Sequence, residues 1–100
     1  MNQKPVHVFA IWQVKEGQLE TVLGLLGEAA IKSREEAGNL FYDAHQSNTD
    51  ANTIVLFEGY TSEEAIAEHR NSVHFQEIVV GKIVPLLESR QVILTTPILG

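Results

Sequence analysis

Apolar positions repeat with a period of two near both ends of the chain and in its middle, and at helical spacing in between. Residues 6–14 predict a strand whose two alternating sets, Val6/Val8/Ala10/Trp12/Val14 and His7/Phe9/Ile11/Gln13, are both largely apolar. That is the pattern of a strand covered on both faces. After the turn Lys15-Glu16-Gly17, the residues Leu19, Val22, Leu23, Leu26, Ala29 and Ala30 recur at i, i+3, i+4, i+7. They predict a helix over 18–37, stopped by a left-handed Gly38. Gly24 and Gly27 lie inside it, each costing about 1 kcal/mol against alanine, which points to close packing on a sheet or to room for a ligand.

Strands are predicted at 40–46 and 53–60. The turn formers Ser47-Asn48-Thr49-Asp50-Ala51-Asn52 between them make an antiparallel hairpin. In the second of these strands Ile54, Leu56, Glu58 and Tyr60 share one face, and Val55, Phe57 and Gly59 the other. Thr61-Ser62-Glu63-Glu64 fits a capping box with Thr61 as N-cap and opens a short helix to about Arg70. Asn71-Ser72 caps a further helix with Phe75, Ile78 and Val79 on its apolar side. Pro85 is incompatible with a helix interior, so a break is expected near Gly81, and 91–96 forms the last strand, ended by Pro97.

The order β-α-β-β-α-α-β within one domain, residues 1–100, is an α+β, ferredoxin-like split β-α-β plan: a four-stranded antiparallel sheet with its helices on one face. Phe9, Ile11, Val55 and Phe57 then line the other face, an exposed apolar patch that invites aggregation. A second copy packed sheet to sheet about a two-fold axis would cover it, so a homodimer is expected.

Composition narrows the partners. The chain of 100 residues is 44% hydrophobic and 20% charged, with a net charge of -6 and no cluster of Lys or Arg. Nucleic acid and anionic membrane surfaces are therefore not expected partners. The acidic pairs Glu35-Glu36 and Glu63-Glu64 read as solvated helix faces. The absence of cysteine excludes disulfides, thiolate metal sites and cysteine nucleophiles. No apolar run reaches the roughly 20 residues a membrane helix needs, and Met1-Asn2-Gln3-Lys4-Pro5 lacks the apolar stretch of a signal peptide, so a cytoplasmic location is expected. His7, His45, His69 and His74 form no metal-ligand spacing, and no glycine-rich phosphate loop is present; neither a metal nor any other cofactor is expected.

His69 and His74 are the first candidates for chemistry, each able to present a neutral imidazole between helices and sheet as base or hydrogen-bond partner. Glu58, on the helix-facing side of its strand, must be paired or neutral when buried; a hydrogen bond to His69 would satisfy both. The same groups serve equally as packing residues and a helix-to-sheet staple. Trp12, Tyr60, Phe75, Tyr42 and Phe41 are aromatic candidates for a substrate pocket or for core, and Asn39 reads as a turn residue.

Ala37-Gly38-Asn39-Leu40, Phe57-Glu58-Gly59-Tyr60, Ser62-Glu63-Glu64-Ala65, His69 and Ser72-Val73-His74-Phe75, in this order and spacing, resemble the antibiotic biosynthesis monooxygenase domain over the whole length. The resemblance implies a dimeric α+β barrel and a cofactor-independent oxygenation of a small aromatic or quinol-type substrate. His69 would be base or anion partner, Glu58 its orienter, His74 a second polar contact, and Trp12, Tyr60, Phe75 and Tyr42 the substrate contacts. A haem-degrading branch of that family carries an Asn, a Trp and a ligating His where this chain has Ala10, His69 and Val79, so haem degradation is not expected. Two alternatives stand beside the oxygenase. One is an isomerase or other acid/base enzyme on a small metabolite of the signal-molecule breakdown type, for which Arg70, Lys82 and Arg90 would meet a phosphate. The other is a non-catalytic ligand-binding or stress module.

Overall fold

The computed structural model describes residues 4–99; the first three residues and the last of the expected 1–100 domain lie outside them. The strands are β1 (Val6–Val14), β2 (Asn39–Gln46), β3 (Thr53–Tyr60) and β4 (Leu87–Thr95), and the helices α1 (Leu19–Arg34), α2 (Glu63–Asn71) and α3 (Phe75–Ile83), in the order β1-α1-β2-β3-α2-α3-β4. All strand pairs are antiparallel, in the spatial order β2-β3-β1-β4. This is the expected split β-α-β arrangement: α1 carries the chain from β1 past the place β3 will take, and the β2–β3 hairpin returns to fill it.

The core lies between the sheet and the helices. Val22, Leu26, Ala29 and Ser33 form the buried stripe of α1, while Leu23 stays exposed. They meet Ala10, Trp12 and Val14 of β1, Ile54 and Leu56 of β3, and Ile78, Val79 and Ile83 of α3. A second, smaller cluster under α2 joins Val6, Val8 and Tyr60 to Ala65 and Ile66. The helices do not reach over β4, so Val92 and Leu94 on its helix side remain 43% and 45% exposed. The opposite sheet face carries an aromatic group in which Phe9 stacks on Phe57 with centroids 4.6 Å apart, beside Phe41 and His7. Phe9, Ile11 and Ile93 on that face are 37–41% exposed.

Several local expectations are corrected. Gly38 does not have positive φ; among the described residues only Gly17 does, at 83°. Gly38 is needed because a Cβ there would run into Ala65 of α2. Gly24 and Gly27 face open space, so neither marks close packing. Ser62, not Thr61, caps α2: its extended backbone lets Oγ accept from Ala65 N at 3.2 Å. The third helical position is then Ala65, which cannot complete a capping box. The break expected at Gly81 comes later. α3 is wound as a π-helix through Ile83, and a 3-10 turn over Val84–Leu86 places Pro85 in the first turn, where its missing N–H is tolerated. β4 starts at Leu87 rather than 91, because Leu87 pairs with Val14 across a register shift in β1. No helix of the described residues is long and apolar enough to cross a membrane.

Candidate active site

The seam between the two core clusters is open, leaving a cavity of about 410 Å³. Its floor is Val8, Ala10 and Trp12 of β1, Tyr42 of β2 and Glu58 of β3; Ile66 and His69 of α2 and Phe75 and Val79 of α3 form its wall; Arg70, Gln76, Arg90 and Val92 border its mouth. All four mouth residues are exposed, so the cavity reaches solvent beside β4. A volume of this order suits a small organic ligand.

His69 is placed by helical spacing, since Ala65, Ile66 and His69 fall at i, i+1, i+4 and turn together toward the sheet. It is only 4% exposed. Its ring lies 5.0 Å from that of Tyr60 and 5.1 Å, edge on, from that of Phe75. Ser72 fixes the corner that follows: its Oγ donates to His69 O at 2.6 Å and accepts from Phe75 N at 3.2 Å, setting His74 just ahead of α3.

The hydrogen bond expected between His69 and Glu58 is not made. His69 Nε2 and Glu58 Oε1 stand 3.8 Å apart, beyond bonding distance. Glu58 Oε1 instead accepts from the Tyr60 hydroxyl at 2.6 Å. The partner of His69 is Glu36, in the turn between α1 and β2, whose Oε2 lies 2.8 Å from His69 Nδ1 and 2.5 Å from His74 Nε2. A carboxylate bridging two imidazoles can only accept from them, which assigns a hydrogen to each facing ring nitrogen. The neutral His69 ring is thereby fixed with its Nε2 lone pair on the Glu58 side. The solvated face expected at Glu36 is corrected by this arrangement, in which its side chain is 18% exposed.

Burial shapes the charge of this group. Desolvation holds the His69 imidazole below its ordinary pKa, opposed by its bond to Glu36. Desolvation likewise raises the Glu58 carboxyl to about 7, against the Tyr60 hydrogen bond, with Glu36 adding to the rise and Arg70 opposing it. Burial pushes both Tyr42 and Tyr60 far above the usual phenol range. They therefore remain hydrogen-bond donors at any physiological pH.

Of the sequence candidates, Trp12, Tyr42, Phe75, Glu58 and His69 converge on the cavity. Tyr60 does not line it; it is fully buried behind Glu58. His74 does not line it either, but backs Glu36 and opens on a separate surface cleft with Lys82 and Glu77. Phe41 lies on the other sheet face, over Gly59. Asn39 opens β2 and donates to Phe41 O at 3.1 Å. Glu36, His69 and His74 place three ligand-type atoms within 4.8 Å of one another, a convergence that the spacing of the histidines did not suggest. Each of those atoms is already engaged in the Glu36 hydrogen bonds, which account for the clustering.

With this geometry in view, the family model described as "Antibiotic biosynthesis monooxygenase" matches residues 5–80. The Mycobacterium tuberculosis protein named "Putative monooxygenase Rv0793" is 35% identical over 71 residues, which are 71% of this chain and 69% of that protein. Its solved structure superposes with a TM-score of 0.89 at 29% identity, covering 96% of this chain and 97% of that one. The structure of PA3566 from Pseudomonas aeruginosa gives a TM-score of 0.89 at 25% identity over 99% of both chains.

Proposed function

Because this chain belongs to the antibiotic biosynthesis monooxygenase family, we propose that it oxygenates a small quinol-type aromatic in the cavity beneath α2, using dioxygen and no resident cofactor. The observation that carries this reading is the Glu36–His69 contact, which engages Nδ1 of the ring and leaves Nε2, on the Glu58 side, without a hydrogen-bond partner among the described residues. His69 Nε2 takes the phenolic proton, and the Glu36 carboxylate stabilises the imidazolium so formed through Nδ1–H. Tyr42 lines the same space and is the donor placed to hold the substrate oxygen.

The quinolate is electron-rich and reduces dioxygen directly. One oxygen atom bonds to a ring carbon, the other leaves as water, and the ring is oxidised to a hydroxyquinone: quinol plus O2 gives hydroxyquinone plus H2O. His69 returns its proton to the departing oxygen. The apolar floor of Val8, Ala10 and Trp12 limits water around the anion. A solvent-reachable cavity bordered by His69, though not by His74, supports an enzyme over a binding module with a vestigial pocket.

Two further parts of the reading concern the setting. A second copy covers the half-exposed face of Phe9, Ile11 and Ile93, making a homodimer, and the reaction is set in the cytoplasm. The test of function is oxygen uptake by metal-free protein with a panel of one- and two-ring quinols. Uptake above the spontaneous rate, with hydroxyquinone formed mole for mole and lost in His69→Gln, is the expected result. A panel oxidised no faster with protein than without it overturns the proposal.

A further inference from the structure

The mouth of the cavity carries charge that the proposed chemistry leaves unused. The chain has only seven Lys and Arg residues against thirteen Asp and Glu, and three of the seven are arginines. Arg34 is occupied, donating to Tyr42 O at 2.6 Å. The other two, Arg70 and Arg90, both border the mouth, and among the described residues no hydrogen bond or ion pair engages either guanidinium.

They come from separate elements. Arg70 follows His69 at the end of α2, and Arg90 lies on β4 directly across from Trp12, so the same strand register that sets Trp12 in the floor sets Arg90 beside it. Gln76 borders the same mouth and is tied to α2 through its Nε2, which donates to Arg70 O at 2.7 Å. An acidic chain has thus placed two of its three arginines, unpaired, around one opening whose interior is apolar except for His69, Glu58 and Tyr42.

We infer that the substrate is an aromatic acid, its hydroxylated ring lying against Trp12 and its carboxylate held at the mouth by Arg70 and Arg90. This rests on the reading of the cavity as the reaction site and adds the class of molecule it takes. The guanidinium fork matches a planar carboxylate in two parallel hydrogen bonds. An anion seated deeper would meet the carboxyl group of Glu58, so the mouth is where it belongs. A phosphate dianion fits less well. Arg70 sits at the C-terminal end of α2, where the helix dipole opposes added negative charge. The backbone N–H groups of Phe75 and Gln76 at the start of α3 are already taken by Ser72, so neither is free for phosphate oxygens.

Trp12 is the only tryptophan and lines the cavity, so its fluorescence reports binding without any reaction. Under nitrogen, the full chain is titrated with 2,5-dihydroxybenzoate and 1,4-dihydroxy-2-naphthoate, each against its neutral methyl ester and against an aryl phosphate of equal ring size. At least one acid is expected to bind about tenfold or more tighter than its ester. Arg70→Gln and Arg90→Gln should each weaken that acid severalfold while leaving the ester unchanged, and added salt should weaken the acid alone. Equal affinity for acid and ester, no binding of either acid, tighter binding of the phosphate, or an equal loss of acid and ester in both variants overturns the inference. Oxygen uptake in parallel samples separates the two readings. Arginine-dependent binding of the acid without uptake sinks the oxygenase and leaves the acid site standing. Rapid uptake with neutral quinols, together with binding of the acids that neither variant weakens, sinks the acid site and leaves the oxygenase.

Discussion

Glu58→Gln isolates the cost of a buried carboxyl whose ionisation burial opposes. In the unfolded chain Glu58 titrates near 4.5, and in the folded protein near 7. Between these values the native state keeps a proton that the unfolded chain has released, so folding stability falls as pH rises through that window. At about 1.4 kcal/mol per pH unit, wild type loses about 2–3 kcal/mol from this group between pH 5 and pH 8. The amide of the variant retains an acceptor for the Tyr60 hydroxyl and has no proton to lose.

The stability of the variant relative to wild type should therefore improve by that amount over the same range. His69 works in the opposite sense: its pKa is depressed, so stability falls as pH drops below 6.5. It is present in both proteins, as are Glu36, Arg70, Tyr42 and Tyr60 around it, and largely cancels in the difference. Urea unfolding followed by Trp12 fluorescence, at fixed protein concentration and ionic strength, measures both curves. If they run parallel within about 0.5 kcal/mol from pH 5 to pH 8, Glu58 ionises like an ordinary carboxyl and the account of its burial is wrong.

The remaining predictions address the base, the sheet face and one close approach. Glu36→Gln removes the charge that stabilises the His69 imidazolium, and should lower kcat about a hundredfold or more with KM little changed for any quinol that wild type oxidises; an unchanged kcat would take Glu36 out of the machinery. Ile11→Asp puts a charge on the half-exposed sheet face, and light scattering should show wild type at twice 11.1 kDa and the variant at the single-chain mass with its circular dichroism retained. A wild-type monomer would refute the dimer. Gly59→Ala drives a methyl group into the Phe41 ring packed over it and should cost about 1–3 kcal/mol in urea unfolding; a neutral result would mean that the ring moves aside freely.

Most of the fold was legible because local pattern and tertiary structure agree in it. The alternation of Ile54, Leu56, Glu58 and Tyr60 settled which side of β3 is covered, and the turn formers of 47–52 announced the hairpin. Where elements met long-range demands, pattern was a weaker guide. Leu87-Glu88-Ser89-Arg90 contains little that favours a strand, yet it belongs to β4 and pairs with β1, because the central strand needs a partner along its full length. Gly38 looked like a helix stop and is instead a gap for Ala65, a contact made by a residue 27 positions later.

The candidate site was legible to the same limited degree, and for the same reason. His69 and Glu58 could be placed on inward faces by periodicity alone, so their presence at one cavity followed. Their pairing did not, because two inward groups on neighbouring elements compete for partners that no periodicity reveals. Glu36 sits outside any regular element, in the turn after α1, where an acidic residue ordinarily faces water. What turns it inward is the corner built by Ser72, which brings His69 and His74 to the same side 33 and 38 positions away in sequence. The outcome inverts the roles expected of the acids. Glu58, the supposed orienter, is held near neutrality by burial and bonded to a tyrosine. Glu36, the supposed surface charge, fixes the tautomer of the histidine, and His74, expected as a second polar contact in the catalytic group, supports Glu36 from behind. A base of this kind depends on the carboxylate that sets its tautomer, so Glu36 rather than Glu58 is the position whose loss should reach the reacting nitrogen of His69.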